Sequence, residues 1–273
     1  MARVIGLLAG SGRLPVLAAQ RMNAAGYRIA AVGLAEEAGP ELLEIVPDLV
    51  TIPVGDLGGM LAFFVREKVS ELVFAGKVHK TAFFAEKKMD MEFERIFANL
   101  SQRNDDAILG AVVERFAKAG ITVLPQASFL DDLLVPRGVM SRRAPDERER
   151  ADTSFGFALA KSLGGLDIGQ SVVVKGRAVL AVEAVEGTDE TIRRGGRYGH
   201  GGAVLVKVSK PAQDPRFDLP TVGRGTIDAM LESGVSTLAI EAGATFFIDR
   251  EDSLARADAG GLAVVALDST GAY

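Results

Sequence analysis

Short apolar runs, each closed by a turn and followed by a helical pattern, recur through the first half of this chain. Residues 3–8 form the first run and end at Ala9-Gly10-Ser11-Gly12; Pro15 then opens a helical pattern that Gly26 closes. Proline suits the first turn of a helix and glycine its end. Further strands are predicted at 28–34, 49–54, 71–75 and 121–124, with helices at 41–46, 60–69 and 105–119 and a turn at 55–59. Strands separated by helices require crossover connections, which dictate a parallel sheet with helices on its faces.

The second half changes character. Pro136, Gly138, Pro145 and a dense run of arginines and acids mark residues 135–150 as a polar linker or the edge of a helix, between domains at 1–134 and 151–273. A helix is expected at 153–163, then strands at 170–175 and 178–184 joined as a hairpin at Gly176-Arg177. A charged helical turn at 188–194 precedes a glycine-rich loop at 195–202, which carries Arg197 and His200 and reads as a mobile lid or phosphate cradle. A strand at 203–208, a polar loop at 210–221 and a helix closed by Gly234 come next. The tail alternates strand, strand, helix, strand at 236–240, 245–248, 251–259 and 262–267. The expected fold is α/β, with an N-terminal Rossmann-like parallel-sheet domain and a C-terminal mixed α/β domain.

Composition narrows the chemistry. The chain has 273 residues, more than one domain of ordinary size, and 48% of them are apolar, enough for cores without staples. No cysteine is present, which excludes disulfides, thiol catalysis and Cys-ligated metal centres. His79 and His200 are the only histidines, so no site can use several. A net charge of −5 and the absence of tryptophan argue against nucleic acid as a partner. No run approaches the ~20 apolar residues of a spanning helix. The N-terminal run superficially resembles a signal peptide, but Arg13 sits where its apolar region should continue, so a buried strand is expected instead. A soluble, intracellular protein is the expectation.

Several segments have the composition of ligand sites. Gly10, Ser11 and Gly12 lie between strand and helix, where N–H groups and the helix dipole suit a phosphate; a tight connection needs the same glycines. Pro15 replaces the third glycine of the dinucleotide fingerprint. Gly76 and Lys77 end a strand where open α/β sheets bind ligands, with His79 and Lys80 close behind. Asn104-Asp105-Asp106 reads as a helix cap. Glu183 falls inside an apolar strand, where a carboxylate needs a cation, a donor or a metal. Thr188 suits a cap of the next helix, and Asp189→Arg193 and Glu190→Arg194 are spaced as i,i+4 pairs. The loop from Lys207 to Thr221 is richest. Lys207, Lys210 and Arg216 bring positive charge, Asp214 and Asp218 hard oxygens, Gln213 and Thr221 polar contacts, and three prolines stiffen it. That inventory fits a Mg²⁺–diphosphate site, Mg²⁺ being typically held by one or two carboxylates, waters and substrate phosphates. The residues alone also allow a solvated connecting loop, a non-catalytic nucleotide or lipid-carrier sensor, or a dinucleotide-dependent oxidoreductase using Gly10 and Gly12.

Taken in order, Leu8-Ala9-Gly10-Ser11-Gly12-Arg13-Leu14-Pro15, Phe74-Ala75-Gly76-Lys77-Val78, Asp105-Asp106-Ala107, Asp167-Ile168-Gly169-Gln170, Val182 to Asp189 and Asp218-Leu219-Pro220-Thr221-Val222-Gly223 resemble the LpxI-type UDP-2,3-diacylglucosamine pyrophosphatases. The resemblance spans nearly the whole chain; residues 195–202 depart from the family pattern. It implies two domains with the ligand between them, the first binding UDP. It implies Mg²⁺-dependent hydrolysis of UDP-2,3-diacylglucosamine to UMP and 2,3-diacylglucosamine 1-phosphate (lipid X), a step towards lipid A in a Gram-negative cytoplasm. Asp218 corresponds to the family's essential aspartate. On that reading Asp218 holds Mg²⁺ or orients the water, with Asp214, Glu183 or Asp189 completing the metal shell, Lys210 and Arg216 stabilise phosphoryl charge, and water attacks the β-phosphorus. Gly10, Ser11, Gly12, Gly76, Lys77, Thr188, Asp189, Lys207, Gln213 and Thr221 would contact substrate. Its lipid tails allow transient contact with the inner face of the inner membrane without an anchor, and a homodimer is compatible with the sequence.

Overall fold

The computed structural model describes residues 3–35, 37–78, 89–100 and 105–272. They form two compact units, one of Met1–Asp131 with Asp214–Asp218 and one of Asp132–Gln213 with Leu219–Tyr273. His79, Lys80 and Asn104 lie outside the described residues.

Unit 1 is the predicted parallel sheet. Strands β1 (Val4–Ala9), β2 (Arg28–Leu34), β3 (Val50–Ile52), β4 (Glu71–Ala75) and β5 (Thr122–Leu124) lie in the order β3-β2-β1-β4-β5 and all pair in parallel. Helices α1 (Leu14–Ala24), α2 (Glu41–Ile45), α3 (Leu57–Arg66), α4 (Met91–Asn99) and α5 (Asp105–Lys118) accompany it among the described residues. Helix α3 starts three residues earlier than its apolar pattern predicts, because the Asp56 side chain caps it by accepting the Gly59 N–H at 2.8 Å. That draws the glycines read as a turn into the first helical turn. Helix α4 was not anticipated; Asp90 caps it through the Phe93 N–H at 2.8 Å. The core gathers Leu8, Val32, Leu72 and Phe74 from the strands, with Phe64 and Phe116 from the helices. The Phe116 ring meets Phe64 and Phe74 edge-on, both at 5.9 Å.

Unit 2 holds a six-stranded mixed sheet of β6 (Gly138–Val139), β7 (Ser171–Lys175), β8 (Ala178–Val182), β9 (Ala203–Lys207), β11 (Val235–Glu241) and β13 (Ala263–Leu267), in the order β6-β13-β11-β9-β7-β8. The three central strands β9, β11 and β13 are mutually parallel, whereas β7, β8 and β6 pair antiparallel. A parallel pair, β10 (Thr221–Val222) with β12 (Phe246–Phe247), stands apart. Side chains alternate across the sheet. Val172, Val174, Val204, Val206 and Val265 face α6 (Glu147–Gly165) through Phe157 and Ala160. Val173, Leu205, Leu238, Ile240 and Val264 face the other way. There they meet Ile192 of α7 (Thr188–Gly199), Ile227 and Met230 of α8 (Arg224–Ser233) and Ala257 of α9 (Arg250–Ala259). Strands buried on both faces read as unbroken valine runs, as in SVVVK.

Two stretches differ from expectation. The segment read as a linker or helix edge does hold the first turn of α6, but it also carries β6, paired with β13. Asp146 and Glu149 form a reciprocal capping box there, which starts the helix six residues before the predicted 153. The glycine-rich loop at 195–202 is mostly helix, since α7 runs to Gly199 and ends on His200 in the left-handed region at φ 50°. A β-carbon on Gly195 would lie 2.5 Å from Val173 Cβ, and one on Gly196 2.3 Å from the Ser233 carbonyl oxygen. These glycines serve close packing. Among the described residues no helix is long and apolar enough to cross a membrane.

Candidate active site

In unit 1 the order β3-β2-β1-β4-β5 reverses direction between β1 and β4, and the turns after these two strands meet at their carboxyl ends. Gly10 N–H donates to the Ala75 carbonyl at 2.9 Å, Ser11 N–H to the Lys77 carbonyl at 2.8 Å, and Lys77 N–H to the Ser11 carbonyl at 3.0 Å. The Ser11 hydroxyl also reaches the Lys77 carbonyl, at 3.1 Å. The approach is so close that a β-carbon on Gly10 would sit 2.3 Å from the Lys77 oxygen, and one on Gly76, at φ +93°, 2.6 Å from the Ser11 oxygen. The two predicted segments are thus brought together. However, the N–H groups of Gly10 and Ser11 hold the β1 and β4 turns to each other, so the expected phosphate cradle is not made of them. Gly12, at φ +90°, leads into α1, which Pro15 opens.

The segment Asp214–Asp218 also belongs to unit 1. Gln126, 3% exposed, mounts it: its N–H donates to the Pro215 carbonyl at 2.9 Å and its Nε2 to the Phe74 carbonyl at 3.1 Å. Phe217 enters the unit 1 core, and Asp218 N–H closes a turn on the Asp214 carbonyl at 3.2 Å. Asp214 and Arg216 face each other, with Nε 2.9 Å from Oδ1 and Nη2 2.6 Å from Oδ2. These hydrogen bonds hold the Asp214 carboxyl below the usual carboxylate range and raise Arg216.

In unit 2 the polar residues gather at one edge of the sheet. Strand β9 ends at Lys207 opposite Ser171, the first residue of antiparallel β7, and Glu183 comes directly after β8. Lys207 and Glu183 are only 6% and 8% exposed. The Lys207 ammonium donates to the Thr188 hydroxyl at 2.7 Å, which donates to Glu183 Oε1 at 2.7 Å. Burial raises the Glu183 carboxyl; the Lys207 charge, the Thr188 hydroxyl and the Gln170 N–H outweigh that and keep it below the usual range. Gly169 has no room for a side chain: a β-carbon would lie 2.1 Å from the Glu183 carbonyl oxygen.

The remaining predicted residues have other partners. Lys210 Nζ pairs with Asp167 Oδ1 at 2.7 Å, and Gln213 Oε1 accepts the Lys210 N–H at 2.8 Å. The Thr221 hydroxyl donates to the Leu219 carbonyl at 3.2 Å. Asp189 is exposed in the first turn of α7, whose cap is Gly187 at φ 82°, so Thr188 serves Glu183 and Lys207 in place of capping. The two i,i+4 pairs do not form: Arg193 meets Glu190 at 3.5 Å, and Arg194 meets Glu186 and the Val182 carbonyl, both at 2.5 Å. Sequence reasoning missed Glu241 and Lys161, whose ammonium lies 2.6 Å from Glu241 Oε2 at the same edge. Glu241 ends an apolar strand and so carried the signal that singled out Glu183; Lys161, on a helix of mixed composition, carried none.

Mg²⁺ can be tested against the donor set. Asp214 is neutralised by Arg216, and Glu183 is engaged by Lys207 and Thr188. Among the described residues no group of three or more His, Cys, Asp or Glu is placed to hold a metal ion. The multi-carboxylate shell does not fit this arrangement. A Mg²⁺ carried mainly by waters and ligand phosphates needs only one or two protein carboxylates.

Together these features define a two-unit α/β protein with charged groups concentrated at the carboxyl edges of its sheets, where open α/β folds take their ligands. The family model described as the LpxI N-terminal domain matches residues 4–133, and that described as the LpxI C-terminal domain matches residues 136–265. The chain is 34% identical over 277 residues to the UDP-2,3-diacylglucosamine pyrophosphatase LpxI of Caulobacter vibrioides, covering 97% of this chain and 98% of that protein. The chain belongs to the LpxI family.

Proposed function

We propose that this protein hydrolyses the diphosphate of UDP-2,3-diacylglucosamine, giving UMP and 2,3-diacylglucosamine 1-phosphate. The observation that carries the reading is the end-to-end match, through both domains, to a relative named for that activity. Such hydrolysis rests on positioning and on neutralising charge at the phosphoryl oxygens. A water oxygen bonds to the β-phosphorus, the bond from the β-phosphorus to the bridging oxygen breaks, and that oxygen leaves on the α-phosphate as UMP. Asp218 orients that water or holds Mg²⁺, which when bound supplies charge neutralisation at the diphosphate. Lys210 and Arg216 contribute positive charge, each held in place by its carboxylate partner, Asp167 and Asp214. The lipid-tailed substrate brings the protein to the cytoplasmic membrane surface transiently.

The test is UMP release from UDP-2,3-diacylglucosamine with Mg²⁺ and with EDTA, for the wild type and for Asp218→Ala. Release that EDTA abolishes, and that the variant loses by at least about 100-fold while still binding substrate, is expected. An active Asp218→Ala protein would remove Asp218 from the mechanism. Saturable binding without release by the wild type would favour the sensor reading.

A further inference from the structure

Lys161, on α6, and Glu241, the last residue of β11, form an ion pair that the proposed reaction does not use. The Lys161 ammonium lies 2.8 Å and 2.6 Å from the two Glu241 oxygens and 5.7 Å from the centre of the Phe157 ring. Glu241 is 5% exposed. Both members also act on one further residue. Lys161 Nζ donates to the Ser209 carbonyl at 2.8 Å, and the Ser209 N–H donates to Glu241 Oε2 at 2.8 Å. The pair therefore holds both backbone polar groups of Ser209, just beyond the carboxyl end of β9.

Lys210, the next residue, gives this grip its consequence. Its N–H donates to Gln213 Oε1 at 2.8 Å, and the Gln213 N–H donates to the Lys210 carbonyl at 3.1 Å. Helix α6 backs this turn closely, since a β-carbon on Gly164 would lie 3.1 Å from Lys210 Cα. A buried ion pair is weak grounds for stability, because well-packed apolar residues of similar volume often serve as well or better. This one instead fixes the point from which the Lys210 turn departs.

We propose that Lys161 and Glu241 are positioning residues, which act through Ser209 to hold Lys210 in place for the hydrolysis; this rests on the proposed hydrolase function. The prediction separates position from stability. In Lys161→Met/Glu241→Leu both charges are removed together, so no unpaired charge is left behind and amide protection within β9 and β11 stays near that of the wild type. The kcat for UMP release falls by about 10- to 100-fold, KM changes by no more than about 3-fold, and exchange of the Ser209 and Lys210 amide hydrogens accelerates. Lys161→Arg restores most of kcat, and Glu241→Gln, which keeps an acceptor for the Ser209 N–H, is intermediate.

A double variant with wild-type kcat overturns the proposal. So does a loss of kcat with unchanged exchange at Ser209 and Lys210, which would place the defect elsewhere. A wild-type protein without turnover would defeat the hydrolase reading instead. The grip on Ser209 would then be judged by amide exchange alone, and exchange that the double variant leaves unaltered would overturn it.

Discussion

Glu149 has a folded pKa of about 2, although its burial works in the opposite direction. Arg143 binds it through both guanidinium nitrogens at 2.6 and 2.9 Å, the Ser236 hydroxyl donates at 2.7 Å and the Asp146 N–H at 2.9 Å. The folded value lies below the ordinary 4.5, so the carboxylate's stabilisation is complete above about pH 4.5 and is lost as pH falls through about 2. Glu149→Gln should therefore cost about 1–3 kcal/mol near neutral pH, the lower end reflecting the partly exposed Arg143. Denaturant titrations at a series of pH values should show the gap to wild type narrowing below pH 4.5; a constant gap down to pH 2.5 would contradict this assignment. At this scale the sequence exposes a buried acid through its apolar neighbours, as at Glu183, but it does not name the partner. Asp214 and Arg216 looked like separate ligands for a metal and a phosphate because two residues of spacing says nothing about whether their side chains meet. They do meet, and so each reaches a ligand only with the other's charge beside it.

Helix α7 shows what is lost between residue and element. Dense glycine reads as flexibility along a chain, yet Gly195 and Gly199, four residues apart, share one helical face. That spacing was the legible signal for a helix packed closely against neighbours. The strands were easier to read, because short apolar runs cut off by acids or by glycine carry their own boundaries; 28–34 and 71–75 were placed to the residue. Helix starts fixed by a side chain, such as those at Asp56 and Asp146, depend on hydrogen bonds that an apolar pattern does not contain. The close-packing account makes a matched prediction. Gly196→Ala should destabilise by about 2 kcal/mol, despite alanine's better helix propensity, because the new methyl meets the Ser233 backbone. Gly110→Ala, mid-helix in α5 with nothing within 4 Å of the added carbon, should stabilise by about 0.5–1 kcal/mol. Urea unfolding of both variants decides it, and a stabilising Gly196→Ala would return this segment to the flexible reading.

For the whole molecule, the consequence lies in how the chain is divided. The segment Asp214–Asp218 is separated by more than eighty residues from the rest of unit 1, yet it is part of that unit through Phe217 and Gln126. Nothing in the linear pattern marks it, because a single phenylalanine among prolines and acids has no periodicity to read. Its packing means that the stability of unit 1 and the placement of Asp218 depend on the same contacts. Phe217→Ala removes a ring that is 9% exposed and should cost about 3 kcal/mol. With two units, one melting midpoint is not a sufficient readout, so the loss should be tracked by amide exchange resolved along the chain. Protection should fall first in β1 and β4, at Leu7, Leu8, Val73 and Phe74, while β9 and β11 keep theirs. Phe157→Ala, which opens a similar cavity against Val172 and Val206 in unit 2, should do the reverse. UMP release should drop in Phe217→Ala even at temperatures where both sheets remain protected, since the turn that ends on Asp218 loses its anchor. Loosening of β9 and β11 by Phe217→Ala, with β1 and β4 unchanged, would show that the segment draws its stability from unit 2 and that Asp218 is placed by other contacts.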